Sequence, residues 1–155
     1  LMPQLFFPAD DSQKRALIRF VCERIPRVAD IPPHLAEPVG ILDADGRLLA
    51  VAIWHHANAY GHVELTAAAV RGVHWCTKGI MRGLLHYAFQ QQGARKMIVH
   101  IESGNQPAVK FARQSGMKRE AVLRHHFERH AHAEVWTMMD TEYARSRWAL
   151  VREVA

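Results

Sequence analysis

The chain has 155 residues, with 20 Lys plus Arg against 15 Asp plus Glu and a formal charge of +5 with histidine neutral. Apolar residues at 49 % and charged residues at 23 % are the proportions of a folded protein, which excludes a disordered chain. No apolar run approaches the ~18 residues of a membrane span, and the mild basic balance favours anionic partners, although no run of five like charges marks a nucleic-acid binder.

In chain order, Leu1 to Phe7 is apolar but lacks the flanks of a secretory leader. Asp10-Asp11-Ser12 is a cluster of N-caps, and Ala16, Leu17, Phe20 and Val21 then recur at helical spacing, so a helix is expected to end before Pro26. A proline-rich linker follows (Pro26, Pro32, Pro33, Pro38). Val39 to Leu42, Arg47 to Trp54 and His62 to Val70 read as three strands of an antiparallel meander, joined by the turn signals Asp43-Ala44-Asp45-Gly46 and Asn58-Ala59-Tyr60-Gly61. In the third strand Val63, Leu65, Ala67 and Ala69 alternate with His62, Glu64 and Thr66.

The period then changes. Ile80, Met81, Leu84, Leu85, Ala88 and Phe89 form one helical stripe, with Thr77 as N-cap and Gly93 as stop. Lys96 to Ile101 is a strand, Asn105 and Pro107 open a helix to about Ser115, and Gly116 ends it. Met117 to Arg124 and Ala133 to Met139 are the last strands, and Asp140 or Thr141 caps a terminal helix carrying Tyr143, Trp148, Leu150 and Val151. This order predicts one domain over residues 1–155, α/β in class. Its sheet is mixed, with a strand–helix–strand crossover in the middle and helices on the faces.

With Glu102-Ser103-Gly104-Asn105-Gln106-Pro107-Ala108-Val109 and Gly116-Met117-Lys118-Arg119-Glu120-Ala121-Val122-Leu123-Arg124, the chain resembles the GNAT family of acyl-CoA-dependent N-acetyltransferases. It is most similar to the branch containing the ribosomal-protein N-terminal acetyltransferases. Asn105, Ala108, Gly116, Glu120 and Arg124 match that branch, and Met117 replaces its aromatic. The family's loop, Arg/Gln-x-x-Gly-x-Gly/Ala, aligns with Cys76-Thr77-Lys78-Gly79-Ile80-Met81, where only Gly79 fits. The loop's requirement is backbone N–H groups at a helix N-terminus aimed at a pyrophosphate. Thr77, Lys78, Gly79 and Ile80 can present these, with Arg71 and Lys78 adding charge, while Met81 is bulky enough to crowd the phosphates.

The resemblance implies a mostly antiparallel sheet splayed between two parallel strands, His62–Val70 and Lys96–Ile101. It also implies acetyl-CoA as acyl donor, with pantetheine running along Ala67, Ala69 and Val70, and an amine acceptor (a small molecule or a protein N-terminus). Glu64 is then the candidate general base, against the reading of a solvent-facing strand carboxylate, and Glu102 is the runner-up. Asn105 orients cofactor or water, or simply caps its helix. The tyrosine that many members place in that helix is Ala112 here. The alternative is a catalytically degenerate CoA-binding or interaction module.

Eleven histidines include His55-His56 and the group His125-His126, His130, His132. Zinc chemistry is open to imidazoles, but no neighbouring cysteine and no HExxH accompany them, and no metal is expected. Trp54 and Trp136 sit in apolar strands and read as core. Trp75, in the loop, covers the cofactor or packs under the helix. Cys76 at a helix start invites a lowered pKa, yet has no paired base. Cys22 and Cys76 are too far apart for a CxxC, so a reducing, cytoplasmic setting is expected, and a homodimer stays open.

Overall fold

The computed structural model describes residues 2–26, 28 and 31–149. Eleven elements run in order: β1 (Gln4–Phe6), α1 (Asp11–Arg24), β2 (Glu37–Leu42), β3 (Leu48–His55), β4 (His62–Ala69), α2 (Lys78–His86), β5 (Lys96–Glu102), α3 (Gln106–Ser115), β6 (Lys118–Glu128), β7 (Ala131–Met139) and α4 (Asp140–Arg145). The strands form a seven-stranded sheet in the order β1-β2-β3-β4-β5-β7-β6, mostly antiparallel, with β4 and β5 its parallel pair. The fold is mixed α/β, as the element order predicts.

By internal contacts the chain divides into two compact units. The first comprises Leu1–Ala57 and Glu64–Leu84. Here β1 to β4 pair in antiparallel succession. Asp10 caps α1 by accepting from Gln13 N at 2.8 Å, while Gln13 Oε1 accepts from Ala9 N, so two end amides are satisfied reciprocally. Leu17 and Val21 of α1 then pack over Val51, Ile53 and Ala68 of the sheet. The β2–β3 turn rests on Asp43, whose Oδ1 accepts from Asp45 N and Arg47 N, with Gly46 at φ 78.

The second unit comprises Asn58–Val63 and Leu85–Ala155. Asn58 Oδ1 accepts from Tyr60 N and His62 N, the same device as Asp43. Gly61 O accepts from both Arg95 N and Lys96 N, so β4 and β5 leave from one point. β7 pairs antiparallel with β5 and β6. Gly116, at φ 93, closes α3 in the left-handed conformation.

Four details depart from the sequence reading. The three-residue β1, bounded by Pro3 and Pro8, was not expected. The stripe expected to run to Gly93 as one helix leaves α-geometry at Tyr87–Gln91, a π turn in which Gln92 N donates to Tyr87 O. β6 runs past the expected end at Arg124 to Glu128 and takes in His125 and His126. α4 stops at Arg145, and Trp148 lies beyond it, buried, its Nε1 donating to Ser115 O at 2.9 Å to close the end of α3. Leu150 and Val151, expected in that helix, lie outside the described residues.

Candidate functional site

The loop entering α2 belongs to the first unit. Ile80 N donates to Thr77 Oγ1 at 3.2 Å, and the first intrahelical bond is Met81 N to Thr77 O. Thr77 is therefore the cap the sequence indicates. The Lys78 and Gly79 amides stand ahead of that bond, at the positive end of the helix. Both residues are exposed, as is Arg71 upstream. A Cβ built on Gly79 meets nothing nearer than Thr77 Oγ1 at 3.8 Å, so the space over its backbone is open. Met81 is buried, 7 % exposed, with Ile80 beside it. Helical phase turns Met81 into the core. Burial pushes the Cys76 thiol up to about 12, which removes it as a nucleophile at neutral pH. Trp75 is half-buried.

β4 carries Glu64, Ala67 and Ala69, with Val70 next. The register pairs Glu64 with His55, Ala67 with Ala52 and Ala69 with Ala50. Val70 N donates to Leu49 O at 2.8 Å, continuing the alignment with β3. The alternation predicted for this strand holds for Val63 and Leu65, but Ala67 is exposed and Ala68 buried. Ala68 lies on the opposite face, against α1, whose cluster it joins. Glu64 and Thr66 share that face with Ala68.

Glu64 is half-buried, with Oε2 at 3.8 Å from His55 Nδ1 and 3.9 Å from His56 Nδ1. His55 is 5 % exposed and its Nε2 lies 2.8 Å from Thr66 Oγ1. No sequence spacing joins these histidines to Glu64; the pairing register of β3 and β4 does so.

In the second unit Asn105 caps α3, its Oδ1 accepting from Ala108 N at 3.3 Å. Glu102 ends β5 and is exposed. Ala112, at the position of the family's tyrosine, is 1 % exposed and faces the core. Glu120, part of the matched spacing, accepts from Thr137 Oγ1 and Lys96 Nζ. Arg124 is exposed on β6. Two of the β6–β7 histidines each spend one ring nitrogen on the backbone: His132 Nδ1 accepts from His125 N, and His125 Nδ1 from His130 N, each at 2.8 Å. Trp54 and Trp136 are buried, as core residues.

No protein-family model matches the chain, and no curated protein matches it. Solved structures of a spermidine N-acetyltransferase, SpeG from Vibrio cholerae, do. Its dodecameric form has 13 % identity and a TM-score of 0.74, over 93 % of this chain and 97 % of that one. A form in complex with manganese ions has 15 % identity and a TM-score of 0.68, over 92 % and 95 %. A chimera of SpeG with hSSAT has 14 % identity and a TM-score of 0.74, over 94 % and 100 %. At these identities the likeness is one of fold: nearly the whole chain follows the path of an N-acetyltransferase.

Proposed function

We propose that residues 1–155 act as one acetyl-CoA-dependent N-acetyltransferase domain, which passes an acetyl group from the thioester to an amine. The start of α2 carries the reading. Its leading amides sit at a Thr77-capped helix end, beside exposed Lys78 and Arg71, with open space over Gly79 and Met81 turned inward. That is the donor set a pyrophosphate requires. The amides of Lys78 and Gly79, with that of Thr77 before them, hold the phosphates while Ile80 N stays on the Thr77 cap. The main chain at Ala67 and Ala69 aligns the pantetheine arm up to Val70, whose own N–H is held by Leu49 O.

When bound, acetyl-CoA supplies the acetyl group and a thiolate leaving group. Glu64 removes the amine proton, directly or through one water. Asn105, its oxygen committed to the helix cap, orients cofactor or water through its amide nitrogen. With Ala112 in place of tyrosine, solvent returns the proton to the thiolate.

The test is calorimetry and thermal shift with acetyl-CoA, followed by thiol-release assays on an amine panel. One binding site and transfer to at least one amine are expected, with Glu64→Gln cutting kcat by about 100-fold or more. No binding at millimolar cofactor removes the reading. The panel contains peptide N-termini, because the Asn105 to Arg124 spacing supports kinship with the ribosomal-protein branch, and spermidine, the substrate of the neighbour SpeG. The buried Ala112 favours a second reading, a CoA-binding module without turnover, which binding without transfer to any amine would establish. That Cys22 and Cys76 are both free thiols fits a reducing, cytoplasmic setting.

A further inference from the structure

We propose that His55, His56 and Glu64 form a binding site for a divalent metal of the zinc class. Consecutive strand residues point to opposite faces, so adjacent histidines do not ordinarily face one another. Here the chain leaves β3 at His55, and His56 takes φ 52, a left-handed conformation uncommon outside glycine. That turn folds the second ring back on the first. The two Nδ1 atoms come within 2.5 Å, with ring centroids 4.8 Å apart. The register then brings Glu64 opposite His55, and all three donor atoms lie within 4.8 Å of one another. Tetrahedral zinc with bonds of about 2.0–2.1 Å sets its ligand atoms about 3.4 Å apart, so the carboxylate oxygen closes by about half an ångström and the imidazoles part by somewhat more.

A second observation points to a ligand. His55 is buried, yet its far nitrogen, Nε2, lies 2.8 Å from Thr66 Oγ1. A metal-binding histidine is ordinarily fixed through its other ring nitrogen in this way. With Nε2–H donated to the hydroxyl, the Nδ1 lone pair faces His56 and Glu64. Side-chain exposure rises from 5 % at His55 through 27 % at Glu64 to 60 % at His56, which leaves a fourth coordination position open to solvent. Two imidazoles and one carboxylate suit zinc, nickel, cobalt or copper and not magnesium or calcium, which take oxygen ligands. Among the described residues this triad alone groups its donors so closely.

The bound ion takes up the carboxylate that acetyl transfer needs, so zinc is an inhibitor. This consequence rests on the reading of Glu64 as base; metal binding does not.

Calorimetry of the chelator-treated full chain, without acetyl-CoA, tests the site with zinc chloride, and with magnesium and calcium as comparisons. One zinc per chain is expected, with little heat from the other two, and cobalt should show the intense visible absorption of a tetrahedral site. His56→Ala, an exposed position, and Glu64→Gln should each lose about 100-fold in zinc affinity, and Thr66→Val about 10–100-fold. His126→Ala should bind zinc as the parent does. Unchanged zinc affinity in a folded His56→Ala protein, or absence of zinc binding in the parent, overturns the site. In the transfer assay zinc should inhibit the parent, reversibly by chelator, and spare His56→Ala. Zinc that binds at the triad without slowing transfer keeps the metal site and removes Glu64 as base.

Discussion

Glu120 occupies the irregularity in β6 between Arg119 and Ala121, where the strand slips against β7. A bulge re-aims its side chain. One carboxylate oxygen accepts from the Thr137 hydroxyl at 2.8 Å, and the other lies 3.0 Å from Lys96 Nζ. The Thr137 hydroxyl first, and then the Lys96 ammonium, hold this carboxyl below the ordinary glutamate value. A depressed folded pKa gives stability that is present above the unfolded value and lost as pH falls through the folded one. Glu120 is 44 % exposed, so solvent screening keeps the effect to about 1 kcal/mol or less. Glu120→Gln should therefore lower the urea midpoint slightly at neutral pH, and the two proteins should converge in acid. A difference that persists in acid would refute the ion-pair account. Cys76 gives a second prediction at this scale. With its thiol pushed up to about 12 by burial, it should react with iodoacetamide far more slowly than free cysteine near neutral pH, and Cys76→Ala should keep full transfer activity. Rapid alkylation of this residue would contradict the buried, protonated thiol.

At the scale of elements, two glycines of α2 separate packing from function. A Cβ at Gly83 would stand 2.5 Å from Leu5 Cδ1, so this glycine lets β1 close over the helix. Gly79 has no such neighbour. Replacing a helical glycine by alanine gains up to about 1 kcal/mol of propensity. Gly79→Ala should therefore melt at or above the parent temperature while its affinity for acetyl-CoA falls, because the added methyl occupies the space a phosphate needs. Lost stability with unchanged affinity would reverse the assignment. Gly83→Ala should show little net gain alone, because Leu5 must move, and should stabilise by about 1 kcal/mol in a Leu5→Ala background. The sequence window around Gly79 shows a loop motif. It shows nothing of Gly83, because β1 is a three-residue edge strand whose Gln-Leu-Phe carries no periodicity. The π turn at Tyr87–Gln91 is equally silent in sequence, since Ala88 and Phe89 stay buried in either helical form.

For the whole molecule, local signals were enough for the order of elements after β1. Asp10, Thr77 and Asn105 cap their helices, Asp43 and Asn58 build the turns, and Gly116 ends α3, each by a bond within four or five residues. What stayed illegible depends on register and on unusual backbone. No spacing rule joins His55, His56 and Thr66 to Glu64, and no propensity places a histidine at φ 52. Net charge, by contrast, is legible at once and makes a claim of its own. At +5, with Arg71 and Lys78 exposed near the start of α2, the protein attracts a polyanionic cofactor and repels a polycationic acceptor. Added salt screens both effects beyond about 10 Å at 0.1 M. KM for acetyl-CoA should therefore rise with salt and KM for spermidine should fall, while KM for a peptide with one amine moves little. A spermidine KM that rises with salt would mean a local acidic acceptor site strong enough to override the net charge, and would make polyamines the favoured acceptors.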